Sequence, residues 1–216
     1  DDASSATVEQ SMEPAADVDR ALLGLLWPEY RCPEDSARFL AQFIGLFDRY
    51  PASVCLSDMT LAGNPLVFVN QGFCAVMGYK RDEVLGHNCR FLQGPLTDGS
   101  SVARVKHAIR EGTDCFVKIA NYTKNGMPFR VLLSMLAVFD SNGVYRFAVG
   151  IQFPITEQVS IRRRFARLSR LVCLIPRMLD VGAAKPVGPR HPRAQQLVDR
   201  AAAAADLDGE VGAWHA

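Results

Sequence analysis

Residues 86–93 read Gly-His-Asn-Cys-Arg-Phe-Leu-Gln, and the neighbouring sequence makes most sense when taken outward from them. One thiol, Cys89, stands between the amide of Asn88 and the guanidinium of Arg90, with a second amide, Gln93, four residues on. In a single helical turn these side chains leave the backbone in different directions. A thiol in an apolar setting is usually an inert core residue, and Cys89 alone would be read that way. Its surroundings argue against that.

Before the thiol, short β-like runs at 53–57 and 65–70 lead into a region of short helices. After it, a longer helix is expected over 98–110, with Val102, Val105 and Ile109 on one face. Three β runs follow, at 115–124, 129–140 and 145–154, joined at Asn125-Gly126 and Asn142-Gly143. Asn-Gly is a strong hairpin signal.

The flanks have their own patterns. Residues 17–30 suit a short helix ended by Pro28. Between Pro33 and Tyr50, Phe39, Leu40, Phe43, Ile44, Phe47 and Tyr50 recur at helical spacing, Glu34 and Asp35 suit the first turn, and Pro51 ends the element. Beyond Gln158, Ile161, Phe165, Leu168, Val172 and Ile175 draw one stripe down a helix whose other faces carry Arg162, Arg163, Arg164, Arg167 and Arg170, with Pro176 as its stop. The expected division is therefore 1–16, acidic and without fixed structure; 17–51, flanking helices; 52–157, the core; 158–180, a basic amphipathic helix; and 181–216, a Pro-rich linker with an Ala-rich tail.

The totals exclude several classes. Lys and Arg number 24 against 23 acidic residues, so net charge calls for no nucleic-acid or membrane partner. No apolar run nears the roughly 18 residues of a membrane span, and residues 1–20 do not resemble a signal peptide. The chain begins with Asp rather than Met, so it reads as an excerpt of something longer. Six scattered cysteines without CxxC pairs fit neither a zinc site nor a disulfide scaffold, and they read as reduced core thiols of a cytoplasmic protein.

Residues 86–93, with NPLVFVNQGFCAVMGY at 64–79 and NYTKNG at 121–126, resemble the LOV domains, the blue-light-sensing branch of the PAS family. The resemblance covers about residues 53–157. It implies an α+β PAS/LOV fold, a five-stranded antiparallel sheet with helices cradling a flavin, here FMN. It also implies a photoreceptor role, in which Cys89 adds reversibly to flavin C4a after blue light. By motif position, Arg90 resembles the phosphate ligand, Lys106 stands where a second phosphate-binding Arg is common, and Gln93 and Asn64 match the ribityl contacts. Asn88 belongs to the same cofactor-binding set. Asn121 matches the amide on the pyrimidine edge, and Gln152 the glutamine whose side chain reorients and relays the signal. Lys106 keeps the charge of the usual Arg but not its bidentate fork. The absence of an insertion after Gln93 favours FMN over FAD.

Three positions depart from the family. Val131 stands where a second flavin amide is usual, and Leu133 and Ala148 where aromatic residues are common. An unpaired buried polar group costs roughly 1–3 kcal/mol, so weaker flavin binding or an altered adduct lifetime is expected. With Asn121 and Gln152 facing the helices, as the resemblance implies, strand alternation puts Cys115, Val117, Ile119, Val131, Leu133, Met135, Ala148 and Gly150 on the same side. Val54, Leu56, Leu132, Leu136, Phe147, Val149, Ile151 and Phe153 then form an outer patch too large to stay exposed. The helix before the core, the basic helix after it, or a second copy in a homodimer should cover it. The basic helix, 161–177, also suits a membrane surface, and no base-reading motif favours nucleic acid. A flavin-poor PAS interaction module is the alternative function. An enzyme with Cys89 as nucleophile lacks a placed base.

Overall fold

The computed structural model describes residues 19–155, 175, 178 and 179. Residues 19–23 are helical, so this element ends well before Pro28. Pro33 opens a 3₁₀ turn, Glu34–Ser36, which passes into α1, Ala37–Phe47. Then come β1 (Ser53–Asp58), β2 (Leu66–Val69), α2 (Gln71–Met77), two 3₁₀ turns (Arg81–Glu83 and Cys89–Leu92) and α3 (Gly99–Glu111). Strands β3 (Cys115–Tyr122), β4 (Pro128–Asp140) and β5 (Tyr145–Pro154) close the core. The five strands form an antiparallel sheet in the order β2-β1-β5-β4-β3. This is the expected α+β architecture.

Both Asn-Gly turns are present, but only their glycines have positive φ, at 75° for Gly126 and 80° for Gly143. Asn125 and Asn142 stay on the negative side, so neither turn is of the type in which both central residues are left-handed.

One element departs from expectation. Met178–Leu179 form β6, a short strand parallel to β4 at Phe139 and Asp140, where residues 158–180 were expected to be helical. β3 pairs with β4 only as far as Met135, so the last residues of β4 offer backbone groups on that side. Pro176 is a residue type that helices exclude from their interior. Ser141 N donates to Leu179 O at 2.7 Å, continuing the contact. The Arg-rich stretch, the acidic start, the Pro-rich linker and the Ala-rich tail lie outside the described residues.

The outer face of the sheet is covered from within the chain. Phe39, Leu40, Phe43, Ile44 and Phe47 of α1 pack on Val54, Leu56, Leu132, Leu136, Val138, Phe147, Val149, Ile151 and Phe153, with Ile175 and Leu179 closing one side. None of these residues exceeds 8% exposure. A second copy is therefore not needed to bury the patch, which removes that argument for a dimer through bare sheet.

Two polar clusters fasten the cover. Asn70, fully buried, accepts from Val54 N (2.9 Å) and Phe73 N (2.7 Å) and donates to the carbonyls of Phe47 (2.9 Å), Tyr50 (3.0 Å) and Ala52 (2.9 Å). One side chain thus caps α2 and ties the end of α1 to β1. Arg146 of β5, 1% exposed, donates to both oxygens of Asp35 (2.9 and 2.7 Å), to Asp140 Oδ2 (3.1 Å) and to Ser36 Oγ (2.7 Å). That fork, with its bidentate geometry, locks the start of α1 onto the sheet.

On the inner face, two apolar clusters flank a space. One joins Cys55, Leu66 and Val69 to Phe73, Met77, Val84, Leu85 and Leu92. The other packs Ala108 of α3 on Cys115, Val117, Ile119, Val131 and Met135. No helix among the described residues is long and apolar enough to cross a membrane.

Candidate functional site

Between these clusters lies a cavity of about 360 Å³. Its sheet wall is Cys55 and Ser57 of β1, Ile119 and Asn121 of β3, Leu133 and Met135 of β4, and Ala148, Gly150 and Gln152 of β5. Its helical wall is Val102, Val105, Lys106 and Ile109 of α3 with Asn88, Cys89, Arg90, Leu92 and Gln93, and the β1–β2 connection adds Met59 and Asn64. Nine of the ten residues singled out in the sequence therefore meet in one place. Val131 does not line the cavity. It is fully buried in the cluster where Ala108 of α3 meets β3 and β4, beside its β3 partner Ile119, which does line the cavity. Val131, expected among the flavin contacts, is corrected on this point; Cys115 and Val117 sit on the expected inner face without lining the cavity.

The motif is a 3₁₀ turn, Cys89–Leu92, whose N-cap is Asn88. Asn88 Oδ1 accepts from Arg90 N and from Arg90 Nε, both at 3.1 Å, while its Nδ2 donates to Gly63 O (2.6 Å) and Asn64 O (3.3 Å). The amide thus orients Arg90 and anchors the turn to the β1–β2 connection. Asn64 itself has φ 51°, a left-handed conformation that asparagine tolerates better than most residues. Gly86 has φ 81°, and a Cβ there would come within 2.8 Å of the Trp27 ring, so glycine is required where the motif begins.

Cys89 is half-buried, and its Sγ lies 3.9 Å from Cys55 Sγ. That sulfur contact, followed by burial, holds the Cys89 thiol well above the usual thiol range, so it is protonated at neutral pH. At the opposite wall Asn121 Nδ2 donates to Gln152 Oε1 at 2.8 Å, both side chains being buried. Arg90, Gln93 and Lys106 are exposed at the mouth.

A group that fits must place a flat apolar body between Leu133, Met135, Ile119, Val102 and Ile109. It must present a hydrogen-bonding edge to Asn121 and Gln152, and carry an anionic tail toward Arg90 and Lys106. A flavin with a phosphorylated side chain meets all three conditions, and the volume is within the roughly 300–1,000 Å³ of ligand pockets. The loop from Gly94 to Asp98 is short and pinned to β3: Thr97 Oγ1 donates to Ala120 O at 2.7 Å and Leu96 N to Tyr122 OH at 2.8 Å. Tyr122 also packs against Gly94.

Cys55, Ser57 and Met59 were not among the sequence candidates. Alternation could have found the first two, since Val54 and Leu56 face outward and their neighbours must face in.

The PAS domain family model matches residues 51–157. The chain is 40% identical over 105 residues to a blue-light photoreceptor of Listeria innocua, covering 49% of this chain and 41% of that protein. It is 34% identical over 120 residues to phototropin-2 of Oryza sativa subsp. japonica, covering 55% of this chain and 13% of that protein. The match thus spans less than half the length of either relative. A solved structure described as "Flavin Analogue Sheds Light on Light-Oxygen-Voltage Domain Mechanism" is 32% identical with a TM-score of 0.52, covering 61% of this chain and 96% of that one. Sequence, fold and cavity agree: the chain belongs to the light-oxygen-voltage (LOV) branch of the PAS domain family.

Proposed function

We propose that this chain is a blue-light-sensing module that holds FMN in the cavity and uses Cys89 to make a reversible covalent bond to flavin carbon C4a. The observation that carries this reading is the convergence on one cavity of a protonated thiol, a paired amide edge and two mouth cations. The flavin would supply absorption of blue light and the carbon that accepts sulfur. The protein's residues do the rest. Arg90 and Lys106 would hold the phosphate, Gln93 and Asn64 would meet the ribityl chain, and Asn121 would bond the ring edge. The names of the relatives in Listeria innocua and rice support the light-sensing part. Cys89 has a second thiol, rather than a base, as its side-chain hydrogen-bond partner, which favours a sensor over a nucleophilic enzyme.

The signal would leave through Gln152. Its amide is bonded to Asn121 on the inner face, and its chain neighbours Ile151 and Phe153 pack on the outer face in the cluster that contains α1. A reoriented Gln152 amide would shift β5 and with it the docking of α1, a population change of the kind a few kcal/mol can drive. The chain supplied with FMN should show a blue-absorbing band that bleaches on illumination and recovers in darkness. Light should also raise hydrogen exchange in α1. Gln152→Leu should leave the bleaching and lose the exchange response. A colourless protein after reconstitution would refute the first part, and an unaltered response in Gln152→Leu the second.

A further inference from the structure

One thiol of the cavity serves that proposal, on which the consequence drawn here rests, only as the partner of Cys89. Cys55 lies on β1 directly across from Gly150 on β5, is 5% exposed, and lines the same cavity as Cys89. The sulfurs are 3.9 Å apart. This proximity has two structural causes. A Cβ at position 150 would come within 2.7 Å of Cys55 Sγ, so the glycine makes room for that thiol to point inward. Cys89 is the first residue of a 3₁₀ turn held at its start by Asn88, which sets the sulfur over the sheet. Of the described cysteines, these two form the pair within sulfur–sulfur contact; Cys32, by contrast, turns its thiol to Pro33 O.

We propose that Cys55 and Cys89 are a redox pair, closing to a reversible disulfide under oxidising conditions and withdrawing the Cys89 thiol from the cavity. A disulfide needs sulfurs about 2.05 Å apart. Cys55 is fixed in the ladder between β2 and β5, whereas the turn bearing Cys89 has no strand partner along it. The closing movement therefore falls on the turn. The oxidant is a low-molecular-weight disulfide. Cys89, the less buried of the two residues, loses its proton and attacks one sulfur of oxidised glutathione, expelling one glutathione thiolate that takes up the proton. Cys55 then loses its proton and attacks the Cys89 sulfur, expelling the second glutathione, which is likewise protonated. The protein gives up two electrons and two protons, and one glutathione disulfide becomes two thiols. Formation of the bond does not depend on the proposed light chemistry. Its consequence does, because a sulfur held by Cys55 cannot bond a flavin.

The test uses the full chain in darkness. It is incubated with oxidised glutathione, capped with N-ethylmaleimide, digested and analysed by mass spectrometry. The peptides bearing Cys55 and Cys89 should be recovered joined, lighter by two hydrogens than their reduced sum, and dithiothreitol should separate them. Cys74→Ser should behave like the parent, and Cys55→Ser should lose the joined species and leave Cys89 capped or carrying glutathione. Recovery of Cys55 and Cys89 separately from the oxidised parent, or Cys55 or Cys89 joined instead to another cysteine, overturns the pair. Blue-light bleaching of the reduced chain keeps the two readings apart. A joined pair in a chain that never bleaches upholds the disulfide and defeats the light-sensing proposal. A bleaching chain that never joins the pair does the reverse.

Discussion

The two faces of this sheet are made from alternate residues of the same strands, yet one is filled with apolar side chains and the other holds a cavity. On β5 the contrast is plain: Phe147, Val149, Ile151 and Phe153 face α1, while Ala148, Gly150 and Gln152 face the cavity. Large side chains at odd positions interlock with five apolar residues of α1. Small ones at even positions leave space that the interior of a protein ordinarily does not tolerate. The lesson is a division of labour. The outer face supplies stability and the inner face gives some of it up to keep room for chemistry.

If that division is right, substitutions on the two faces should differ in size. Phe43→Ala on the outer side removes a ring that stacks on Phe39 and meets Phe47 and Phe68, and should cost about 4 kcal/mol in urea unfolding. A loss below about 1 kcal/mol would mean that α1 is not the true cover. Arg146→Met strips both Asp35 and Asp140 of their cation, and should cost about 3 kcal/mol by the same measurement. Leu133→Ala on the cavity wall should cost less, about 2 kcal/mol at the low end for such truncations, because open space already adjoins it. A cost equal to that of Phe43→Ala would erase the comparison.

The smallest effect is that of acid. The Arg146 guanidinium holds the Asp35 carboxyl below the usual carboxylate range. A lowered folded-state pKa means that its stabilisation is complete above the unfolded value, about pH 4. It is lost as pH falls through the lowered value. Asp35→Asn should flatten the pH dependence of the urea midpoint below about pH 4, with little slope change above it.

Much of this was readable from the sequence because it depends on local periodicity. The strand boundaries, the outward row of apolar residues and the helix that covers it all follow from spacing of two or of three and four. The motif also brought nine residues to one cavity. What escaped depends on three-dimensional meetings. Asn70 is an ordinary asparagine until five backbone groups converge on it. Val131 lies on the expected face in one cluster with Ile119 and Met135, yet those two line the cavity and it does not. β6 exists because β3 starts too late to pair the end of β4, which no pattern within residues 158–180 announces. Cys55 looks like any core thiol until Gly150 and the turn at Cys89 are set against it.

The most direct measurement is the absorption of FMN-loaded parent and Cys89→Ala before, during and after blue illumination. The account predicts that the parent bleaches and recovers in darkness while Cys89→Ala binds FMN but shows no such cycle. A Cys89→Ala variant that bleaches and recovers like the parent would contradict it.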